Sequence, residues 1–103
     1  MNMHQDILLG VLVGILTDPH RPPALKSLPP VMYPERQLQI SEGPNGVFEV
    51  YFHHRYKHRR KAPLPDMEEI RLALNAVLPN GLYVISVKDA QTFITIIIRR
   101  YSV

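Results

Sequence analysis

The chain of 103 residues contains no cysteine and no tryptophan. The first absence excludes disulfides, thiolate metal sites and a cysteine nucleophile. It fits a reducing compartment, although many secreted proteins also lack cysteine. No Gly-x-Ser-x-Gly elbow is present, and no glycine-rich loop carries a lysine for phosphates. No apolar run is long enough to cross a bilayer. Residues 7–16 are apolar apart from Gly10 and Gly14, but as a helix they rise only about 15 Å, roughly half a bilayer core. His4, Gln5 and Asp6 precede them, and Asp18-Pro19-His20-Arg21-Pro22-Pro23 follow. A secretory signal needs a positive flank before its apolar run and a small-residue cleavage site after it. The expectation is a cytoplasmic protein with no membrane span and no targeting segment.

The length is that of one domain, residues 1–103, with enough apolar side chains for a core. The net charge of +3 is modest but unevenly placed. Arg55, Lys57, Arg59, Arg60 and Lys61 lie within seven residues, and without them the chain has seven basic against nine acidic residues. A slightly acidic protein therefore carries one concentrated basic segment.

A first helix is expected from residue 2 or 3 to 17. Its apolar face would carry Ile7, Leu8, Val11 and Ile15, widened by Leu9, Leu12, Val13 and Leu16 until it nearly encircles the helix. Such a helix is buried on more than one side, by a partner subunit or by the fold itself. Gly10-x-x-x-Gly14 would let it lie close to the sheet or to a second helix; self-association through residues 7–16 is the functional reading.

Residues 18–34 form a connector with six prolines. Proline fixes φ and lacks the backbone donor, so extended, polyproline-like backbone is expected. Leu25, Leu28, Val31, Met32 and Tyr33 are apolar enough to lie along the body. Leu38 and Ile40 alternate with polar residues over 37–42, the mark of a half-buried strand. Gly43-Pro44-Asn45-Gly46 then signals a turn into a longer strand, 47–57. There Phe48, Val50 and Phe52 take one face, and Glu49, Tyr51, His53, Arg55 and Lys57 take the other.

Pro63 and Pro65 break the chain before Asp66, an N-cap with Glu69 placed as in a capping box. Met67, Ile70, Leu74, Val77 and Leu78 recur at helical spacing, and Pro79-Asn80-Gly81 ends the helix. Residues 82–88 and 93–101 are two further strands. Apolar residues on both faces of the last imply a central, covered strand. The expected class is α+β: one domain in the order α-β-β-α-β-β, a mixed four-stranded sheet, helices packed on one face. The crossover helix should make the second and third strands parallel, with the fourth antiparallel to both.

Residues 51–61 are the most distinctive chemistry. An aromatic beside several cations suits single-stranded RNA or DNA, whose bases stack while cations track phosphates. The candidate site is Tyr51, His53, Arg55 and Lys57 on the sheet, with Arg59, Arg60 and Lys61 in the following loop. Lys88 should sit at the same end of the sheet, and Arg99 and Arg100 at the opposite end. The competing readings are a solvated strand end that resists edge pairing and contact with an acidic protein or an anionic membrane surface. Metal binding is disfavoured. His53 and His54 point to opposite faces, His54 and His58 lie about 13 Å apart along an extended strand, and the surrounding cations repel a metal ion. Protonation of these histidines in mildly acidic solution would instead add charge to the patch. Asp66, Glu68 and Glu69 have structural roles at a helix start.

The expected function is a non-catalytic binding protein without cofactor, best read as nucleic-acid binding. The alternative is an assembly subunit, as in a phage or other multi-protein particle, whose apolar first helix makes the contacts. An enzyme with a dispersed site is the third reading.

Overall fold

The structure, a computed structural model, describes residues 3–53, 66–90 and 92–101. Helix α1 (Met3–Thr17) leads through short helices α2 (Pro23–Lys26) and α3 (Pro34–Gln37) to strands β1 (Leu38–Glu42) and β2 (Val47–His53). Helix α4 (Met67–Val77) then precedes β3 (Leu82–Asp89) and β4 (Phe93–Arg100). The class is α+β, with one four-stranded sheet in the order β1-β2-β4-β3.

Every neighbouring pair is antiparallel, so the sheet is not mixed in its hydrogen bonding. β2 and β3 do run in the same direction, as a helical crossover demands. They are not neighbours, because β4 turns back from β3 and inserts between them. Ile94, Ile96 and Ile98 explain that choice. A central place buries them beside Phe48, Val50 and Phe52 of β2 and Val84 of β3, all at most 2% exposed. The central position of β4 is as expected. Its cover is one-sided, however, for Ile97 on the other face is only half-buried.

Two irregularities set the register. Asn45 and Gly46 both take positive φ, 62° and 73°, the mirror-image turn whose twist matches a hairpin. A side chain at Gly46 would also stand 3.1 Å from the carbonyl of Arg100. In β3 a bulge falls between Val84 and Ser86. It returns Val87 to the covered face, so Val84 and Val87 are both buried although three residues apart.

Asp66 caps α4 by accepting the N–H of Glu68 at 3.2 Å. Glu69 does not close a capping box; Glu68 turns instead to Arg71. Ile70 and Leu74 are fully buried. Asn75 clamps the outer edge of β3: its Nδ2 donates to the Val84 carbonyl at 3.1 Å and its Oδ1 accepts the Val84 N–H at 2.7 Å. An edge strand closed by a side-chain amide no longer offers those groups to another chain.

In α1 the buried stripe is Leu8, Leu12 and Leu16, with Leu9, Val13 and Ile15 packed at its margin. The expected face is corrected at Ile7, which is 58% exposed. A helix apolar all round has no preferred direction, and contact with the sheet selects the row of leucines four apart. Nothing lies within 4 Å of a Cβ placed on Gly10 or Gly14, so the small-residue stripe serves no close approach to the sheet or a second helix among the described residues.

The proline-rich connector packs on the same domain. Leu25 and Leu28 join the core and Val31 packs against it, while Met32 and Tyr33 are 68% and 61% exposed. Helices α2 and α3 replace the expected continuous extended backbone. Each begins with proline, whose fixed φ and missing N–H are harmless in the first helical turn. Gln37 fastens the segment: its Oε1 accepts the N–H groups of Met32 and Tyr33, and its Nε2 donates to the Pro30 carbonyl.

Candidate nucleic-acid interface

Strand alternation divides the sheet. The face away from the helices carries Gln39 and Ser41 of β1, then Glu49, Tyr51 and His53 of β2. Phe93, Thr95, Ile97 and Arg99 of β4 continue it, with Tyr83, Ile85 and Lys88 of β3. The register places them in rows. Gln39 pairs with Tyr51, Tyr51 with Thr95, and Thr95 with Lys88. His53 pairs with Phe93 one step further along.

Tyr51 and His53 therefore share the open face, as alternation required, and Lys88 sits at the same end of the sheet. Lys88 stands two strands from Tyr51, about 10 Å at ordinary strand spacing. Thr95 lies between them. Phe93, its neighbour on the same face of β4 and the partner of His53, is the residue that sequence reasoning missed. Its ring stands edge-on to Tyr51, centroids 5.5 Å apart at 74°, and tilted against His53 at 5.7 Å. These geometries suit the aromatic quadrupole. Period-two spacing put Phe93 on one of two faces. Only the β2–β4 register reveals that it joins Tyr51 and His53.

Hydrogen bonds fix two of the rings. His53 Nε2 lies 2.9 Å from Gln39 Oε1, and the Tyr51 hydroxyl donates to the Glu49 carboxylate. That bond, with lesser contributions from desolvation and the carboxylate charge, raises the Tyr51 phenol above its ordinary value. The three rings are half-buried, and Lys88 is exposed.

The described part of β2 ends with His53. Arg55, Lys57, Arg59, Arg60 and Lys61 lie outside the described residues, as do His54 and His58 and the expected continuation of β2 to residue 57. Arg99 and Arg100 are at the far end of the sheet, opposite to Lys88, as expected. There the Arg99 guanidinium lies 5.4 Å from the Tyr101 ring centroid, and Tyr101 meets Tyr83 edge-on at 6.3 Å. Nearby, Arg71 holds Glu68 through two nitrogens. The hydrogen bond lowers the Glu68 carboxyl and raises the Arg71 guanidinium.

Among the described residues no three histidine or acidic side chains form a metal-holding group. No described helix is long and apolar enough to cross a membrane. No protein-family model, curated protein or solved structure significantly matches the chain.

Proposed function

We propose that this is a non-catalytic, cytoplasmic nucleic-acid-binding domain that takes single-stranded RNA or DNA on the open face of its sheet. The observation that supports the reading is the juxtaposition of Tyr51, Phe93 and His53 where the chain enters its basic segment. Bases stack on aromatic faces with little regard to sequence, and nearby Lys and Arg neutralise phosphates. In this reading Phe93 and Tyr51 supply the stacking surface. Arg55, Lys57, Arg59, Arg60 and Lys61 supply the charge, and Lys88 flanks the strand. Glu49 is held by the Tyr51 hydroxyl, so the contact to phosphate is assigned to the basic segment and not to the middle of the sheet.

The test is a titration of fluorescent single-stranded DNA and RNA at two salt concentrations. Binding is expected to weaken steeply with salt. Arg55→Glu with Arg59→Glu should abolish it and flatten the salt dependence. Phe93→Ala should weaken it by about 1–3 kcal/mol without changing the salt slope. Salt-insensitive affinity, or no binding at low salt, overturns the reading.

A second reading is favoured by α1, whose outer surface leaves Ile7 58% exposed beside bare Gly10 and Gly14. In an assembly subunit that surface would meet another chain. A mass that rises with concentration in the wild type and not in Gly10→Glu supports this reading. A strict monomer that binds oligonucleotides removes it.

A further inference from the structure

A second feature lies on the covered side of the sheet, remote from the aromatic cluster. Beneath the first half of α1 the structure leaves a cavity of about 380 Å³, within the size range of small-molecule sites. Its floor is closed by Leu8 and Phe48, at 2% and 1% exposure. The apolar surface open to the cavity comes from Ile7, Val11 and Leu82.

Arg100 breaks the pattern of this region. Ile94, Ile96 and Ile98 form the inward row of β4 and are buried. Arg100 is next in that row, opposite Leu82, and lines the cavity with Asn80. No carboxylate pairs with its guanidinium among the described residues. His4, also on the rim, lies 3.8 Å from the Glu42 carboxylate, so an anion is already present on that side. Among the described residues the unmatched positive charge of the rim is that of Arg100, an exposed side chain.

We propose that this cavity binds a medium-chain carboxylate, its aliphatic chain against Ile7, Val11 and Leu82 and its carboxylate on Arg100 beside Asn80. An apolar body satisfies that surface, and the planar guanidinium fork matches a carboxylate in a way that an uncharged alcohol head does not. The inference is independent of the nucleic-acid reading, since it uses the other face and different residues.

The experiment is an amide-resolved NMR titration of the full chain with butanoate, hexanoate, octanoate and octanol. Octanoate should shift the amides of Gly81, Leu82 and Tyr101. Affinity should rise up to about fourfold per added methylene, the value for complete burial. Arg100→Gln should weaken octanoate roughly tenfold and leave octanol unchanged. Ile7→Trp, a change at an exposed rim position, should weaken both by occupying the entrance. The proposal is overturned if millimolar octanoate leaves those amides unmoved. It is equally overturned if Arg100→Gln binds octanoate as the wild type does, or if the shifts fall at Tyr51 and Phe93.

Discussion

The two faces of the sheet are built from the same strands yet hold different chemistry. One presents Phe48, Val50, Phe52, Ile94, Ile96 and Ile98, all at most 2% exposed beneath the helices. The other presents Glu49, Tyr51, His53, Phe93, Thr95 and Ile97, residues that alternate with them along β2 and β4. Through the middle of the covered face, side chains are selected for volume and apolarity. On the open face, aromatic, charged and hydroxyl groups lie together and hydrogen-bond one another. Close packing makes the first face intolerant of change, whereas the second can change without loss of the fold. That difference is why the proposal of nucleic-acid binding is made for the open face.

The largest test of this contrast sets Phe52→Ala beside Phe93→Ala. The first removes a fully buried ring and should cost about 3–5 kcal/mol. The second removes a half-buried ring and should cost clearly less, about 1–1.5 kcal/mol, the scale of its aromatic contacts. Urea midpoints measure both. Equal losses would mean that the open face is part of the core.

A smaller effect is expected at the sheet edge. Asn75→Ala leaves the outward N–H and carbonyl of Val84 without their partners and should cost about 1–3 kcal/mol. It should also make the protein more prone to associate, because the β3 edge is then open. Light scattering beside the denaturation curve separates the two consequences. Asp66→Ala should cost about 1 kcal/mol, the usual loss of an N-cap, read as a small drop in midpoint.

The smallest effect is electrostatic and belongs to the open face alone. Tyr51 ionises above its ordinary value because its hydroxyl donates to Glu49. A group raised in the folded state lends its stability below the unfolded pKa and loses it as pH rises through the folded one. The Tyr51 phenolate should therefore appear late in an ultraviolet titration, and Glu49→Gln should bring it earlier. An unchanged titration in that variant would separate Tyr51 from Glu49 in solution.

How far the sequence could be read follows the strength of its local signals. Helix α4 was legible, because a cap, an apolar repeat and a Pro-Asn-Gly stop agree. The β1–β2 hairpin was legible through Asn45-Gly46. Tyr51 and His53 were assigned to one face because β2 alternates cleanly. The buried stripe of α1 was not legible, since a helix apolar on every side gives periodicity nothing to choose between. The short helices at Pro23 and Pro34 were hidden for a related reason: proline bars a helix interior but favours its first turn.

By itself, then, the sequence determined helices α1 and α4, the four strands, their order and the side chains that alternate along β1 and β2. These are properties of neighbouring residues, set by backbone sterics and apolar period. Only the tertiary structure decided that β4 enters the sheet between β2 and β3, that Phe93 stands against Tyr51 and His53, and that Asn75 closes the β3 edge. It likewise placed Arg100 on the covered face at the mouth of a cavity. Each of these joins residues far apart in the chain, and such pairings are fixed by the shared burial of one core, to which no local stretch of sequence has access.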